Sequence, residues 1–188
     1  MRLALERLFR VLHRGGLMHQ DSSLPTLDYP LAPTPRVAVL GAAFRAETGV
    51  YSLPQWTPER LTQLRPLALA GSWAELAKAA RMVQRGELAL PGLLYPLVVL
   101  TPAGDAPLSQ REHLQLWDWF GLPAWEQIRG QDGKLLAVEC EARNGFHLAP
   151  GVDVDHLDGW LDADECDCAQ RKPRYRLAAE KALAAAGD

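Results

Sequence analysis

The sequence predicts an α/β fold, a mainly parallel sheet flanked by helices, followed by a small β appendage. Three observations carry this. Three short runs are apolar at consecutive positions: Arg36-Val-Ala-Val-Leu-Gly41, Pro66-Leu-Ala-Leu-Ala-Gly71 and Tyr95-Pro-Leu-Val-Val-Leu-Thr101. Strands covered on both faces need that pattern, whereas half-covered strands alternate. Helix-start signals follow these runs, and beyond Gly130 the chain changes to short strands separated by tight-turn signals.

Taken in order, Met1 to about Leu17 reads as an amphipathic helix. Leu5, Leu8, Phe9 and Leu12 recur at helical spacing, with Arg7, Arg10 and Arg14 elsewhere on the surface. It serves either to cover the core or to meet a partner or membrane surface. His19 to Pro35 is rich in Pro, Ser, Asp and Thr and reads as a surface loop. The first apolar run follows, and Gly49 to Leu53 adds an extra strand. Thr57-Pro58-Glu59 opens a helix with a capping hydroxyl, a proline at the first position and an acid in the first turn. Ser72-Trp-Ala-Glu75 and Ser109-Gln-Arg-Glu112 are capping boxes that open two more. A strand at Pro123–Ile128 completes an alternating series, which right-handed crossovers wind into a twisted, mainly parallel sheet. No Gly-x-Gly-x-x-Gly follows any strand, so a dinucleotide fingerprint is excluded.

After Gly130 come the turn signal Asp132-Gly133, a strand-like Lys134–Glu141, a second turn at Asn144-Gly145, and Phe146-His147-Leu148. Residues 152–167 read as acidic and turn-rich, and Arg176–Ala186 as a short C-terminal helix. The resulting division is 1–35 (helix and loop), 36–130 (α/β core) and 131–188 (β appendage and final helix).

Composition bounds the function. The 188 residues are 48% hydrophobic and 23% charged, enough for a real core and against intrinsic disorder. Lys+Arg 20 against Asp+Glu 23 leaves a net charge of -3, which argues against a nucleic-acid partner. No apolar run approaches the roughly 18–20 residues that span a bilayer. The charged start lacks the apolar centre of a secretory signal, so the cytoplasm is the expected location. Three cysteines cannot all pair within one chain.

Those cysteines, Cys140, Cys166 and Cys168, fall in the last third with His147 among them. The spacing Cys140-x6-His147-x18-Cys166-x-Cys168 offers a Cys3His set, one of the common ligand sets of structural Zn2+. A hairpin at Asn144-Gly145 returns His147 alongside the Cys140 strand, and a polar turn supplies two thiolates. The single-residue gap between Cys166 and Cys168 is tighter than usual. His156 is a rival fourth ligand, ranked below His147. The plainer reading also stands: Cys140 a small buried hydrophobe, the other two incidental, His147 a turn residue. A four-ligand site is closed; it stabilises the fold and does not activate water.

Other candidates carry less. Ser72 and Ser109 sit at capping positions, and no Gly-x-Ser-x-Gly elbow exists. Asp153/Asp155 and Asp162/Asp164 lie in the acidic segment and do not match a calcium loop. His113 lies inside a helix and is expected at the surface. Trp117, Trp119, Phe120 and Trp125 form either an aromatic docking patch or part of the core, and core is preferred.

From about residue 95 the chain resembles the phenylacetate–CoA ligase branch of the adenylate-forming enzymes. Val98-Val-Leu-Thr-Pro-Ala-Gly-Asp-Ala-Pro-Leu-Ser109 and Phe120-Gly-Leu-Pro-Ala-Trp-Glu-Gln127 are similar to that family's strand–turn–helix and following strand. Glu139-Cys-Glu-Ala-Arg-Asn-Gly-Phe-His147 is similar to its Glu-Cys-Glu-x-x-x-Gly-x-His segment, and Cys166-Asp-Cys168 with Pro173-Arg174 to its Cys-x-Cys segment. Weaker similarity reaches back to Arg36. The resemblance implies a metal held by Cys140, His147, Cys166 and Cys168.

It also brings departures. The family's Ser/Thr/Gly-rich phosphate loop has no counterpart, since Gly15-Gly16 and Gly41-Ala-Ala lack the hydroxyls and repeated glycines. Where Tyr-Gly-x-Thr-Glu belongs, the chain has Glu126-Gln-Ile-Arg-Gly-Gln-Asp-Gly-Lys134. The family's mobile C-terminal domain has no counterpart either. The expectation is a truncated, non-catalytic, zinc-stabilised relative acting as an accessory or binding protein, beside a full-length ligase or a biosynthetic complex. A minimal or partner-completed ligase is the alternative, with Arg129 on a phosphate and Asp132 on Mg2+ near Lys134; these charges otherwise form a solvated turn. A protein–protein interaction module is the third reading. No residues are assigned to nucleotide or acyl-CoA binding.

Overall fold

The computed structural model describes residues 23–143, 145–153, 159–166, 168 and 173–177, with 159–165 and 177 by backbone alone. The expected helix at Met1–Leu17 lies outside the described residues, as does His156. The described chain runs β1 (Val37–Leu40), β2 (Val50–Leu53), α1 (Pro58–Leu64), β3 (Ala68–Gly71), α2 (Trp73–Gln84), β4 (Leu97–Pro102), α3 (Gln110–Phe120), β5 (Ala124–Arg129), β6 (Leu135–Glu139), β7 (Phe146–Leu148), β8 (Gly159–Glu165) and β9 (Pro173–Leu177). All nine strands join one sheet in the order β2-β1-β3-β4-β5-β6-β7-β9-β8. From β2 to β5 the neighbours are parallel. From β5 onward they are antiparallel. The β appendage expected after Gly130 is therefore joined edge to edge with the α/β core.

The topology decides which face each connection covers. Strands β3, β4 and β5 are added in one direction, so right-handed crossovers place α1, α2 and α3 on the same face. There Leu61, Leu76, Ala79 and Leu116 pack on Leu40, Leu69, Leu97, Val99 and Ala124. The step from β1 to β2 runs the other way, and its connection crosses the opposite face, where Ala42 and Phe44 pack on Val37, Val39, Val98 and Leu100. Leu27 and Tyr29 join them. The segment expected as a surface loop is thus a strap that buries the second face. Hydrogen bonds tie it down in both directions: Tyr29 of the strap donates to the Pro96 carbonyl at 2.7 Å, while from the sheet Arg129 Nη1 donates to Thr26 O at 2.9 Å and the Gln127 amide to Asp28 O. Consecutive apolar positions required two covers; among the described residues helices supply one and this strap the other.

The three helix starts follow their capping residues. Thr57, Ser72 and Ser109 are N-caps. Ser109–Glu112 is a complete capping box. Glu75 instead sends its carboxylate to the Trp56 indole, accepting Nε1–H at 2.6 Å, so the Ser72 cap is one-sided.

Two expectations fail near the end of the chain. Within the acidic segment, Gly159–Glu165 is a strand, so Asp162 and Asp164 are strand residues and not loop acids. Acidic residues lower strand propensity, yet β8 is the sheet's edge, where charges are tolerated and deter pairing with other chains. Arg176 and Leu177, read as the start of a helix, end β9. Pro-Arg-Tyr-Arg-Leu alternates with period two, and the alanines that follow favoured the helix reading; those residues lie outside the described ones.

Candidate metal centre

Two hairpins lying side by side build the site. Strands β6 and β7 pair Val138 with His147 and Glu139 with Phe146. The turn between them closes through Cys140 N–H to Gly145 O (2.8 Å) and Arg143 N–H to Cys140 O (2.8 Å). Side chains alternate across a strand, so His147 lies on the face opposite Glu139 and Phe146. Cys140 joins it there. Strand β9 pairs with β7 through Tyr175 and Phe146, and β8 with β9. That pairing brings Cys166, at the end of β8, and Cys168, in the following connection, onto the Cys140–His147 hairpin.

The four donor atoms all lie within 4.8 Å of one another. Cys140 Sγ and Cys166 Sγ are 3.0 Å apart, and His147 Nε2 lies 3.1 Å from Cys168 Sγ. A disulfide needs about 2.05 Å, and all three cysteines are free. Exposure is 0% for Cys140, 2% for His147, 3% for Cys166 and 7% for Cys168, so no donor is a surface group.

The imidazole is aimed. Its Nδ1 lies 3.1 Å from the Pro173 carbonyl. A carbonyl only accepts, so Nδ1 carries the proton and the Nε2 lone pair faces the sulfurs. Such an outer hydrogen bond is the usual device for orienting a metal-ligating histidine. The Ala142 backbone N–H points at Cys140 Sγ from 3.4 Å. Burial pushes the Cys140 thiol up to about 12, and the hydrogen bond to Cys166 adds to it. The Cys166 thiol is lowered, first by that same hydrogen bond from Cys140. A cation at the centre takes the place of the thiol protons. Tetrahedral Zn–S bonds of about 2.3 Å set edges of about 3.8 Å between sulfurs, within the span the donors occupy. The cluster can hold a metal ion, and four protein donors leave a tetrahedral ion no open position.

The other expected residues are placed differently. Arg129 is buried at 5% exposure. Its guanidinium donates to Thr26 O, Gly133 O (3.2 Å) and Gln127 Oε1, and lies over the Phe44 ring. It is not a solvated turn charge; it ties the strap to the sheet. Asp132 and Lys134 form an exposed turn, Lys134 N–H donating to Asp132 Oδ1. Trp119 stacks on Trp73 at 5.4 Å between ring centres, and with Phe120 it packs partly buried on the core. Trp117 does not join the core; it is 53% exposed.

One set of residues escaped the sequence reading. Glu126 is buried in β5, and its carboxylate accepts the Thr101 hydroxyl at 2.5 Å and the Leu108 N–H at 3.0 Å. Glu139 and His113 lie beside it, and His113 is largely buried and not a surface residue. The signal was a charge at an inward position, between Ala124 and Ile128.

No protein-family description matches the sequence, and no curated protein matches it. Among solved structures, the chain is similar to 2-hydroxyisobutyryl-CoA ligase in an open conformation, in complex with 2-HIB-AMP and CoA. The two are 13% identical with a TM-score of 0.44, over 78% of this chain and 37% of the ligase chain. No helix among the described residues is long and apolar enough to cross a membrane.

Proposed function

We propose that the chain is a zinc-stabilised, non-catalytic relative of the phenylacetate–CoA ligase-type adenylate-forming enzymes, acting as an accessory or binding protein. The observation that carries it is the buried convergence of Cys140, His147, Cys166 and Cys168 from two hairpins, with His147 oriented by Pro173. Three sulfurs and an imidazole suit Zn2+, a borderline-soft ion with no demand for open coordination. Bound there, Zn2+ supplies cross-linking and not water activation. The same four positions fall in the two segments that resemble the ligase family. The sequence carries neither a Ser/Thr/Gly-rich phosphate loop nor the Thr-Glu pair, and fold without the site does not carry the activity.

Elemental analysis of the purified chain tests this together with ATP–pyrophosphate exchange. About one zinc per chain and no exchange are expected. Exchange activity in the zinc-loaded chain overturns the non-catalytic reading; absence of stoichiometric metal overturns the zinc reading.

Gly145 offers a second check that leaves all four ligands in place. Its φ is +135°, and a Cβ there would sit 2.6 Å from the Tyr175 carbonyl oxygen. Gly145→Ala pushes β9 away from β7 and carries Pro173 O from His147. Loss of an outer-shell partner weakens metal affinity about 10- to 100-fold. A competition titration with a chromogenic chelator reads it, and unchanged affinity contradicts the role given to β9.

A further inference from the structure

Side chains fasten the turn that carries Cys140 to the rest of the sheet. The register of β5 and β6 runs from Arg129↔Leu135 to Gln127↔Val138. Past that pair the chain leaves β6 for the Cys140–Gly145 turn, and two side chains reach back to the backbone of β5. Glu139 Oε2 accepts the Glu126 N–H at 3.0 Å. Arg143 Nη2 donates to the Ala124 carbonyl at 3.0 Å. The two side chains are also paired with each other, Arg143 Nη1 lying 3.9 Å from Glu139 Oε1.

Arg143 has a further attachment, to α3. Its Nη1 lies 3.2 Å from His113 Nδ1, and since a guanidinium only donates, Nδ1 accepts. The guanidinium also lies over the Trp125 ring, 5.7 Å from its centre. One planar fork therefore reaches β5, α3 and an aromatic face together. The backbone of Arg143 is unusual as well. Its φ is +53°, and among the described residues the only other non-glycine with positive φ is Arg65, the cap that ends α1. Arg143 ends no helix. A side chain makes this left-handed conformation costly, and it persists where the surroundings hold it. Here it serves the ligand turn: the Arg143 N–H closes on Cys140 O at 2.8 Å, and the preceding residue, Ala142, points its N–H at Cys140 Sγ from 3.4 Å.

We propose that Arg143 is a positioning residue of the metal centre: by fastening the Cys140–Gly145 turn to β5 and α3, it holds Cys140 Sγ against the other three donors and sets how tightly the metal is kept. Its effect on affinity rests on the metal reading given above; its effect on the placement of Cys140 rests on the turn geometry alone. The residue touches no donor with its side chain and acts through the turn, as outer-shell partners of metal ligands do.

Arg143→Gly tests this on the full chain, because glycine takes the same φ freely while the side chain is lost. Competition titration with a chromogenic chelator is expected to show zinc held about 10- to 100-fold more weakly. Arg143→Lys keeps the charge but not the fork, and is expected to remain about 3-fold or more weaker than wild type. Full recovery with lysine means that charge alone matters and overturns the proposal. Lys134→Gln, which removes an exposed cation from the turn before β6, is expected to change nothing. Alkylation of each cysteine, read by mass spectrometry with and without zinc, reports position. Arg143→Gly is expected to speed the reaction at Cys140 about 10-fold or more relative to Cys166 and Cys168, since Cys140 alone sits on the turn that opens. Equal acceleration at all three cysteines signals general destabilisation and overturns the proposal, as does unchanged zinc affinity. A wild-type chain that binds no zinc overturns the metal reading by itself, and the Cys140 selectivity then decides on Arg143. Unfolding midpoints confirm that the variants fold; should Arg143→Gly not fold, Arg143→Lys decides by the same two readouts.

Discussion

Chelation of the metal is expected to lower the unfolding midpoint by about 8–16 °C. An ion present at 1,000 times its dissociation constant stabilises the folded state by about 4 kcal/mol. For a chain of this length each kcal/mol moves the midpoint by about 2–4 °C. The site justifies so large an effect, because its donors come from positions 140, 147, 166 and 168 and hold two hairpins together. Metal binds only where these are assembled, so its binding energy becomes folding energy. Cys140→Ala is expected to produce the same loss without chelator and no further loss with it. That second arm separates metal linkage from a mere cavity at a residue that is fully buried. Differential scanning fluorimetry with and without chelator reads both arms. A wild-type chain that melts at one temperature in either condition contradicts the cross-linking role.

Leu116→Ala is expected to cost about 2–5 kcal/mol, the range for emptying a fully buried leucine site. Leu116 is the one residue of α3 that is completely buried, and it seats that helix on the sheet within the main core. Leu114→Ala, two residues away, removes the same atoms from a largely exposed position and is expected to change stability by less than about 0.5 kcal/mol. Urea unfolding of the pair measures the difference. Similar losses for both mean that α3 packs in another rotation about its axis.

Much of this architecture was legible because local signals agreed with one another. The four-residue apolar runs became β1, β3 and β4, and the capping residues Thr57, Ser72 and Ser109 marked the helix starts. The Cys–His spacing was legible as a ligand set because few other arrangements use three cysteines and a histidine near a hairpin turn. What local signals missed were the strap, strand β8 and the fate of Arg129. Residues 23–35 carry turn chemistry, and nothing in that composition says that Leu27 and Tyr29 close over a sheet. Strand β8 is acidic, and its strand character comes from pairing with β9, not from propensity. Arg129 looked like a solvated charge in a turn; its burial follows from the strap's carbonyls arriving above it.

The sequence by itself determined the α/β class, the order of elements from β1 to β7 and the identity of four candidate metal ligands. These depend on hydrophobic period, caps and residue chemistry, all of which act over a few positions. Only the tertiary structure decided that the described helices share one face, that the late hairpins extend the same sheet, and that Glu126, Glu139 and His113 come together. Those outcomes depend on strand order and crossover handedness, which couple residues far apart in the chain and leave no mark on any short window of it.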